Sequence, residues 1–243
     1  MKLVLENVCK NFEGKSIIEH ASYTFEKGKI YGLLGRNGAG KTTLFNCISK
    51  NLSLDVGQIR LGENEEMQTD YENTDIGFVY TMPHLPAFMT ATEFVKFFID
   101  INKERIQEPK SPQEYLTTVG IKPDDQHRLL KDFSHGMQNK VQMLVSLIVQ
   151  PPVLLLDEPL TSFDVVAAHE MKELILKAKS QSIVIFSTHI LQLAQDLCDE
   201  VVLLHQKKLT GVDSTRIHEK DFEEEIVQLL SEANDSSAEK MEG

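Results

Sequence analysis

Residues 29–50, KIYGLLGRNGAGKTTLFNCISK, constrain the fold more than any other stretch of the chain. An apolar run predicts a buried strand, GRNGAGKT fits the pattern G-x-x-x-x-G-K-[ST], and the residues after it predict a helix. A chance match to this pattern somewhere in the chain is expected in about one per cent of cases. Its place between a strand and a helix therefore predicts a loop that holds phosphate groups.

Each residue type in this loop has a chemical reason to be there. Glycines allow the backbone to turn sharply and to approach phosphate oxygens closely. Lys41 is expected to reach the β- and γ-phosphates, Thr42 to supply a hydroxyl to Mg²⁺, and Thr43 to bond the α-phosphate. The predicted nucleotide-binding positions of the loop are Gly35, Asn37, Gly38, Ala39, Gly40, Lys41, Thr42 and Thr43.

Two further segments end in polar side chains that are expected at the same site. VLLLDEP, residues 153–159, is an apolar strand that presents Asp157 at its carboxyl end, where ligands of parallel sheets bind. Asp157 is expected to hold Mg²⁺ through water, and Glu158 to accept a proton from an attacking water. FSTH ends another predicted strand, so His189 is expected to contact the γ-phosphate and to orient that water.

Strands and helices alternate at both ends of the chain, with a mostly helical segment from about residue 90 to 150 between them. This order predicts an α/β fold with a mostly parallel sheet, an antiparallel β subdomain and a helical subdomain. We expect one domain over residues 1–215 and an acidic, partly disordered tail over residues 216–243. From residue 219 onward the tail carries nine acidic side chains and two lysines.

The net charge of −12 argues against nucleic acid as the main partner, because binding a phosphate backbone needs clustered lysines and arginines. No signal peptide and no membrane-spanning segment are predicted, since no apolar run approaches about 18 residues. If this chain functions at a membrane, we therefore expect it to do so through another chain that spans the bilayer.

DFSHGMQNKVQ, residues 132–142, has the composition of a helix start, with Ser134 as the predicted cap. The free N–H groups of such a start favour an anion. The chain already has one predicted phosphate loop, so a second anion site needs a separate explanation.

The phosphate loop, FSHGM, LLLDEP and STH occur in this order, and together they resemble the nucleotide-binding subunit of an ATP-binding cassette (ABC) transporter. The resemblance runs from about residue 2 to 212 and implies Mg²⁺-dependent ATP hydrolysis, with Lys41, Glu158 and His189 as catalytic residues. It also explains the second anion site. In this family two such domains pack head to tail, so Ser134 and Gly136 would contact ATP held by the partner.

Other expectations come from the resemblance alone. Phe12 matches the aromatic side chain that stacks on adenine, although a phenylalanine is more often part of the core. Asp164 matches a loop that contacts the second domain. The implied partners are a second nucleotide-binding domain and an integral membrane subunit, which would place the chain at the cytoplasmic face of the cell membrane.

The sequence departs from the family pattern at two positions. Thr81 occupies the place of a glutamine or glutamate that contacts Mg²⁺, and its shorter side chain would act only through a water. His135 replaces the first glycine of the signature. S-x-G-M signatures resemble those of bacitracin- and lantibiotic-type exporters, which favours export of a peptide, antibiotic or drug-like substrate.

Two alternatives stay open at this stage. One is a soluble ABC ATPase without a membrane partner, which would act as an assembly or remodelling factor. The other is a regulatory subunit with slow or no turnover, which the threonine at position 81 keeps open.

Overall fold

The computed structural model describes residues 1–63, 66–106, 108–160, 163, 165–212, 217, 219 and 222–231. Within these residues the strands are β1 (Lys2–Phe12), β2 (Lys15–Glu26), β3 (Ile30–Leu34), β4 (Val56–Glu63), β5 (Glu66–Gln68), β6 (Ile76–Val79), β7 (Val153–Asp157), β8 (Ile183–Thr188), β9 (Glu200–His205) and β10 (Lys208–Val212). The α-helices are α1 (Lys41–Ile48), α2 (Ala91–Ile101), α3 (Pro112–Thr118), α4 (His135–Ile148), α5 (Val165–Ala178), α6 (Leu191–Leu197) and α7 (Phe222–Ser231).

The strands form two sheets. The larger has the order β10-β9-β3-β8-β7-β6, and all its neighbouring strands are parallel except β10, which pairs antiparallel with β9. The smaller has the order β2-β1-β4-β5 and is antiparallel throughout. With the helices, these two sheets confirm the predicted α/β fold and its antiparallel β part.

The central strands are buried on both faces, which explains why their sequences are continuous apolar runs. Every residue of β3, β7 and β8 is buried. On one face, α1 packs between the parallel sheet and the antiparallel sheet. On the other face, β7 and β8 pack against apolar residues of α4, α5 and α6. The carboxyl ends of these parallel strands therefore lie at one fixed edge of the sheet, and the loops that follow the strands begin there.

Helices α2, α3 and α4 share a separate core, in which Val95, Leu116 and Val141 are fully buried. Ser111 caps α3 and Pro112 begins it, where proline's fixed φ suits the first helical position. Phe222 and Ile226 of α7 pack against the core formed by β3, β9 and α6. In the part of the chain that is described, none of the helices has both the length and the apolar character needed to span a bilayer.

In the antiparallel sheet, the pattern of polar and apolar residues does not predict β2 and β5. The register between β1 and β2 is irregular after Leu5, and His20 of β2 has a left-handed backbone with φ +48°. Such irregularities break the strict alternation of polar and apolar residues by which a strand is recognised.

Candidate functional site

The loop between β3 and α1 has the backbone that its glycines permit. Gly38 and Gly40 have φ values of +82° and +104°, in the left-handed region that favours glycine. A Cβ atom on Gly40 would lie 2.8 Å from Cγ2 of Ile17, so the loop also packs closely against β2. At Gly35 the constraint is a close approach, because a Cβ there would lie 2.8 Å from the carbonyl oxygen of Leu204. The loop therefore curves back over the start of α1.

Lys41, the first residue of α1, is buried beneath this loop with 7% of its surface exposed. Its Nζ donates to the carbonyl oxygen of Gly35 at 2.7 Å and lies 3.9 Å from Oε1 of Glu158. Burial lowers the pKa of Lys41, and the carboxylates of Glu158 and Asp157 oppose that shift. The ammonium group thus lies between the loop and the acidic residues, where it can neutralise a phosphate.

Asp157, the last residue of β7, is 4% exposed and accepts two hydrogen bonds at its carboxylate. Thr42 Oγ1 donates to Oδ2 at 2.7 Å, and Ser187 Oγ donates to Oδ1 at 2.5 Å. A hydroxyl and a carboxylate are hard oxygen donors of the kind that Mg²⁺ prefers. The predicted metal residues Thr42 and Asp157 therefore lie together, in an arrangement that fits Mg²⁺ beside a phosphate.

Glu158 follows β7, but its backbone leaves the strand conformation with φ +52°. Along a strand, successive side chains point to opposite faces, which would separate the carboxylates of Asp157 and Glu158. The left-handed backbone instead brings the Glu158 side chain to within reach of Lys41. The Glu158 N–H donates to Ser187 Oγ at 3.0 Å, which holds this turn in place.

His189 follows β8, the strand next to β7, and lies beside Glu158. Its Nδ1 is 3.0 Å from Oε1 and 3.1 Å from Oε2 of that carboxylate. The His189 side chain is 47% exposed, whereas that of Glu158 is 14% exposed. The imidazole therefore contacts the carboxylate on one side and remains accessible to a phosphate on the other.

Thr81 lies in the loop after β6, beside the predicted metal residues. Its Oγ1 donates to the backbone carbonyl oxygen of Asp157 at 3.0 Å. The hydroxyl thus already has an acceptor in the protein, and the side chain ties its loop to the end of β7.

These residues surround a pocket of about 300 Å³. Its lining residues are Phe12, Ile17, Asn37, Gly38, Gly40, Lys41, Thr42, Thr43, Thr81, Asp157 and Glu158. Phe12 is 42% exposed at the end of β1, and is therefore not part of the core. Lys10 Nζ lies 5.3 Å from the centre of its ring. The ring is available for stacking against a flat ligand.

Two predicted loop residues line neighbouring cavities instead. Ala39 lines a cavity of about 600 Å³ next to Lys207. Gly35 and His189 line one of about 530 Å³ that extends to α7.

Ser134 and Gly136 are at the N-terminus of α4, and neither is among the residues that line the pocket. Ser134 is exposed and accepts a hydrogen bond from the Met137 N–H at 3.3 Å, which confirms the predicted cap. Asp164 and the tail apart from residues 217, 219 and 222–231 lie outside the described residues.

Ser187 is a site residue that the sequence prediction missed. It pairs with Asp157 in the register of β7 and β8, and its hydroxyl is used by both Asp157 and Glu158. The signal was its position two residues before His189 on a strand predicted to lie near Asp157. Using that signal requires knowing that the two strands are neighbours.

The sequence model of the ABC transporter family matches residues 18–161 of the chain. The ABC transporter ATP-binding protein NatA of Bacillus subtilis is 32% identical over 210 residues, which cover 84% of this chain and 85% of NatA. The bacitracin transport ATP-binding protein BcrA of Bacillus licheniformis is 32% identical, with 84% of this chain and 66% of BcrA covered. A fluoroquinolones export ATP-binding protein of Mycobacterium tuberculosis is 33% identical, with 79% of this chain and 63% of that protein covered.

Solved structures share the fold. The structure of an ATP-binding subunit of an ABC transporter superposes with a TM-score of 0.79 at 22% identity, and covers 94% of this chain and 99% of that one. A dimeric ATP-binding cassette in a post-hydrolysis state, bound to ADP and Pi, superposes with a TM-score of 0.72 at 19% identity, and covers 87% of this chain and 98% of that one.

Proposed function

Because this chain belongs to the ABC transporter family and is an ATP-hydrolysing subunit, we propose that it powers export through a separate membrane subunit. The exported substrate is a peptide, an antibiotic or a drug-like molecule. Two relatives support this class, since their names specify bacitracin transport and fluoroquinolone export. The Ser134-His135-Gly136-Met137 signature supports the same branch.

ATP binds with its phosphates in the loop from Gly35 to Thr42 and its adenine against the exposed ring of Phe12. The left-handed backbone at Gly38 and Gly40 curves the loop over the start of α1, and Lys41 supplies a positive charge from below. Thr43 lines the same pocket, which supports its assignment to the α-phosphate.

Thr42 and Asp157 hold the Mg²⁺ ion, and Thr81 lies at the edge of this site. When bound, Mg²⁺ neutralises charge on the phosphate oxygens. Since Thr42 and Asp157 are already 2.7 Å apart through their oxygens, little rearrangement of these side chains is needed. Ser187 keeps the second carboxylate oxygen of Asp157 fixed.

The conformation of Glu158 is the observation that carries the catalytic part of the proposal. Its left-handed backbone places a carboxylate next to Lys41 rather than on the opposite face of the sheet. Glu158 accepts the proton of the attacking water, and His189 orients both the carboxylate and the γ-phosphate.

The signature residues Ser134 and Gly136 complete the site of a second copy or of a related domain. Neither residue lines the pocket of its own chain, and both lie at the N-terminus of α4, where the helix dipole favours an anion. Two domains packed head to tail would thus hold two ATP molecules. Their closure and reopening drive the membrane subunit from its cytoplasmic face.

The test is to purify the affinity-tagged chain from detergent-extracted membranes and to measure Mg²⁺-dependent phosphate release. The proposal predicts co-purification of a hydrophobic chain with about six membrane-spanning stretches, and hydrolysis that the Lys41→Ala variant lacks. Recovery of an active ATPase with no hydrophobic partner would favour the assembly or remodelling function. Absence of turnover in the complex would favour a regulatory subunit.

A further inference from the structure

Gln142 joins α4 to the loop that follows β6. The residue is 5% exposed, and both ends of its amide are used. Nε2 donates to the carbonyl oxygen of Tyr80 at 2.8 Å, and Oε1 accepts from the N–H of His84 at 3.4 Å. One side chain of α4 therefore holds the main chain of this loop on both sides of Thr81.

The same loop is attached to the catalytic end of β7. Thr81 lies between the two residues that Gln142 holds, and its hydroxyl donates to the carbonyl oxygen of Asp157 at 3.0 Å. Aromatic contacts stiffen the segment, because the Tyr80 ring stacks on Phe78 at 4.1 Å and meets the His84 ring edge-on at 5.2 Å. The loop is thus fixed to the end of β7 and packed within itself.

The other end of the connection is Ser134. Gln142 and Ser134 belong to one continuous helix and its cap, separated by about 12 Å along the axis at 1.5 Å per residue. A helix of this length moves as a rigid unit. The contacts therefore run from Asp157 through Thr81 and Gln142 to the signature residue without a break.

We propose that Gln142 is a positioning residue that transmits the state of the nucleotide pocket to Ser134. With ATP and Mg²⁺ bound at Asp157, the loop held by Thr81 would shift and Gln142 would move α4 with it, so that Ser134 would be placed for the partner's ATP only when its own chain is loaded. This inference rests on the proposed function. It adds the residue that connects the nucleotide pocket of a chain to the signature residue Ser134 of the same chain.

A substitution that keeps the size of Gln142 but removes both hydrogen bonds, Gln142→Met, tests the connection. Hydrogen–deuterium exchange is followed with and without the ATP analogue AMP-PNP and Mg²⁺, at a concentration where the chain sediments as a monomer. In the wild type, nucleotide should slow exchange in both α1 and the first turns of α4. In Gln142→Met it should slow exchange in α1 only, and kcat should fall about tenfold with KM for ATP unchanged.

Gln126 provides a matched control. It is also a buried glutamine, 2% exposed, and its Nε2 donates to the carbonyl oxygen of Ile121 at 3.1 Å, within the helical part. Gln126→Met therefore loses a buried amide of the same kind without releasing the loop after β6. It should keep the nucleotide-dependent protection of α4 even if its unfolding temperature falls.

Equal protection of α4 by nucleotide in the wild type and in Gln142→Met would overturn the inference, as would unprotected α4 in the wild type. If Gln142→Met does not fold, Gln142→Glu replaces it, because a carboxylate still accepts from the His84 N–H but repels the Tyr80 carbonyl. Failure of the wild type to bind AMP-PNP at all would instead count against the proposed function.

Discussion

Nδ1 of His189 lies 3.0 Å from one carboxylate oxygen of Glu158 and 3.1 Å from the other. This contact joins the ends of two neighbouring parallel strands, β7 and β8. It fixes the direction of a carboxylate that is 14% exposed and already turned by its left-handed backbone. The arrangement suits a general base that must face a water beside a phosphate.

Replacing Glu158 by Gln should stop turnover while preserving ATP binding. The amide keeps the size of the carboxylate but cannot accept a proton from water, so the rate should fall by about 10²- to 10⁴-fold. With hydrolysis blocked, the ATP-bound dimer should persist in size-exclusion chromatography. Glu173→Gln is the same chemical change at an exposed position of α5 and should leave phosphate release unaltered. Wild-type hydrolysis by Glu158→Gln would remove Glu158 from the mechanism.

Replacing Thr81 by Gln should strengthen the Mg²⁺ site. The longer side chain adds an amide oxygen that can extend beyond the Asp157 carbonyl, whereas Thr81 bonds that carbonyl at 3.0 Å. The Mg²⁺ concentration for half-maximal ATPase activity should fall about tenfold, at the lower end of what outer-shell groups contribute to metal affinity.

Thr81→Val separates the effect of the hydrogen bond to the Asp157 carbonyl from any effect on the Mg²⁺ site. It removes the hydroxyl, so it should lower the free energy of unfolding by about 1 kcal/mol without improving Mg²⁺ affinity. If Thr81→Gln changes neither the Mg²⁺ dependence nor the response to the membrane partner, the interpretation of this departure from the family pattern is wrong.

Replacing Gly40 by Ala should damage the phosphate loop more than replacing Gly38. Both residues have a left-handed backbone, which costs a side chain about 1–2 kcal/mol. At Gly40 the added Cβ would also lie 2.8 Å from Ile17, whereas at Gly38 nothing lies within 4 Å. Overpacking of this kind costs about 1–3 kcal/mol more. Chemical denaturation and ATP titration of both variants check the order, and equal losses would show that contact with Ile17 is unimportant.

The parallel core could be predicted from the sequence because β3, β7 and β8 are buried on both faces. Full burial gives continuous apolar runs, and the polar residues that follow them mark the functional edge of the sheet. The strand β2 was not predictable in the same way. Its alternation is disturbed at His20, and it is defined by pairing with β1 rather than by its own pattern.

The candidate site was likewise only partly predictable from the sequence. Lys41, Asp157 and Glu158 belong to short motifs with a fixed local geometry, so their chemistry could be predicted from type and spacing. Ser187 and Gln142 act through contacts across 30 and 62 residues of sequence, to Asp157 and Tyr80. No local pattern specifies such contacts, because they depend on strand register and on how α4 packs against the loop after β6.

Replacing Ser134 by Arg should separate binding from cooperative hydrolysis. Ser134 is exposed at the start of α4 and lies outside the residues that line the pocket, so the monomer should bind ATP with a Kd within about twofold of the wild type. The bulky cation should block the partner's γ-phosphate site, so the dependence of specific ATPase activity on protein concentration should disappear. Ser111→Arg is the control, since Ser111 caps α3 in the same way, with Oγ accepting from the Glu114 N–H at 3.2 Å. Each substitution should cost about 1 kcal/mol of cap energy, and only Ser134→Arg should abolish cooperativity. Loss of ATP binding by the Ser134→Arg monomer would show that the signature residue serves its own chain instead of its partner.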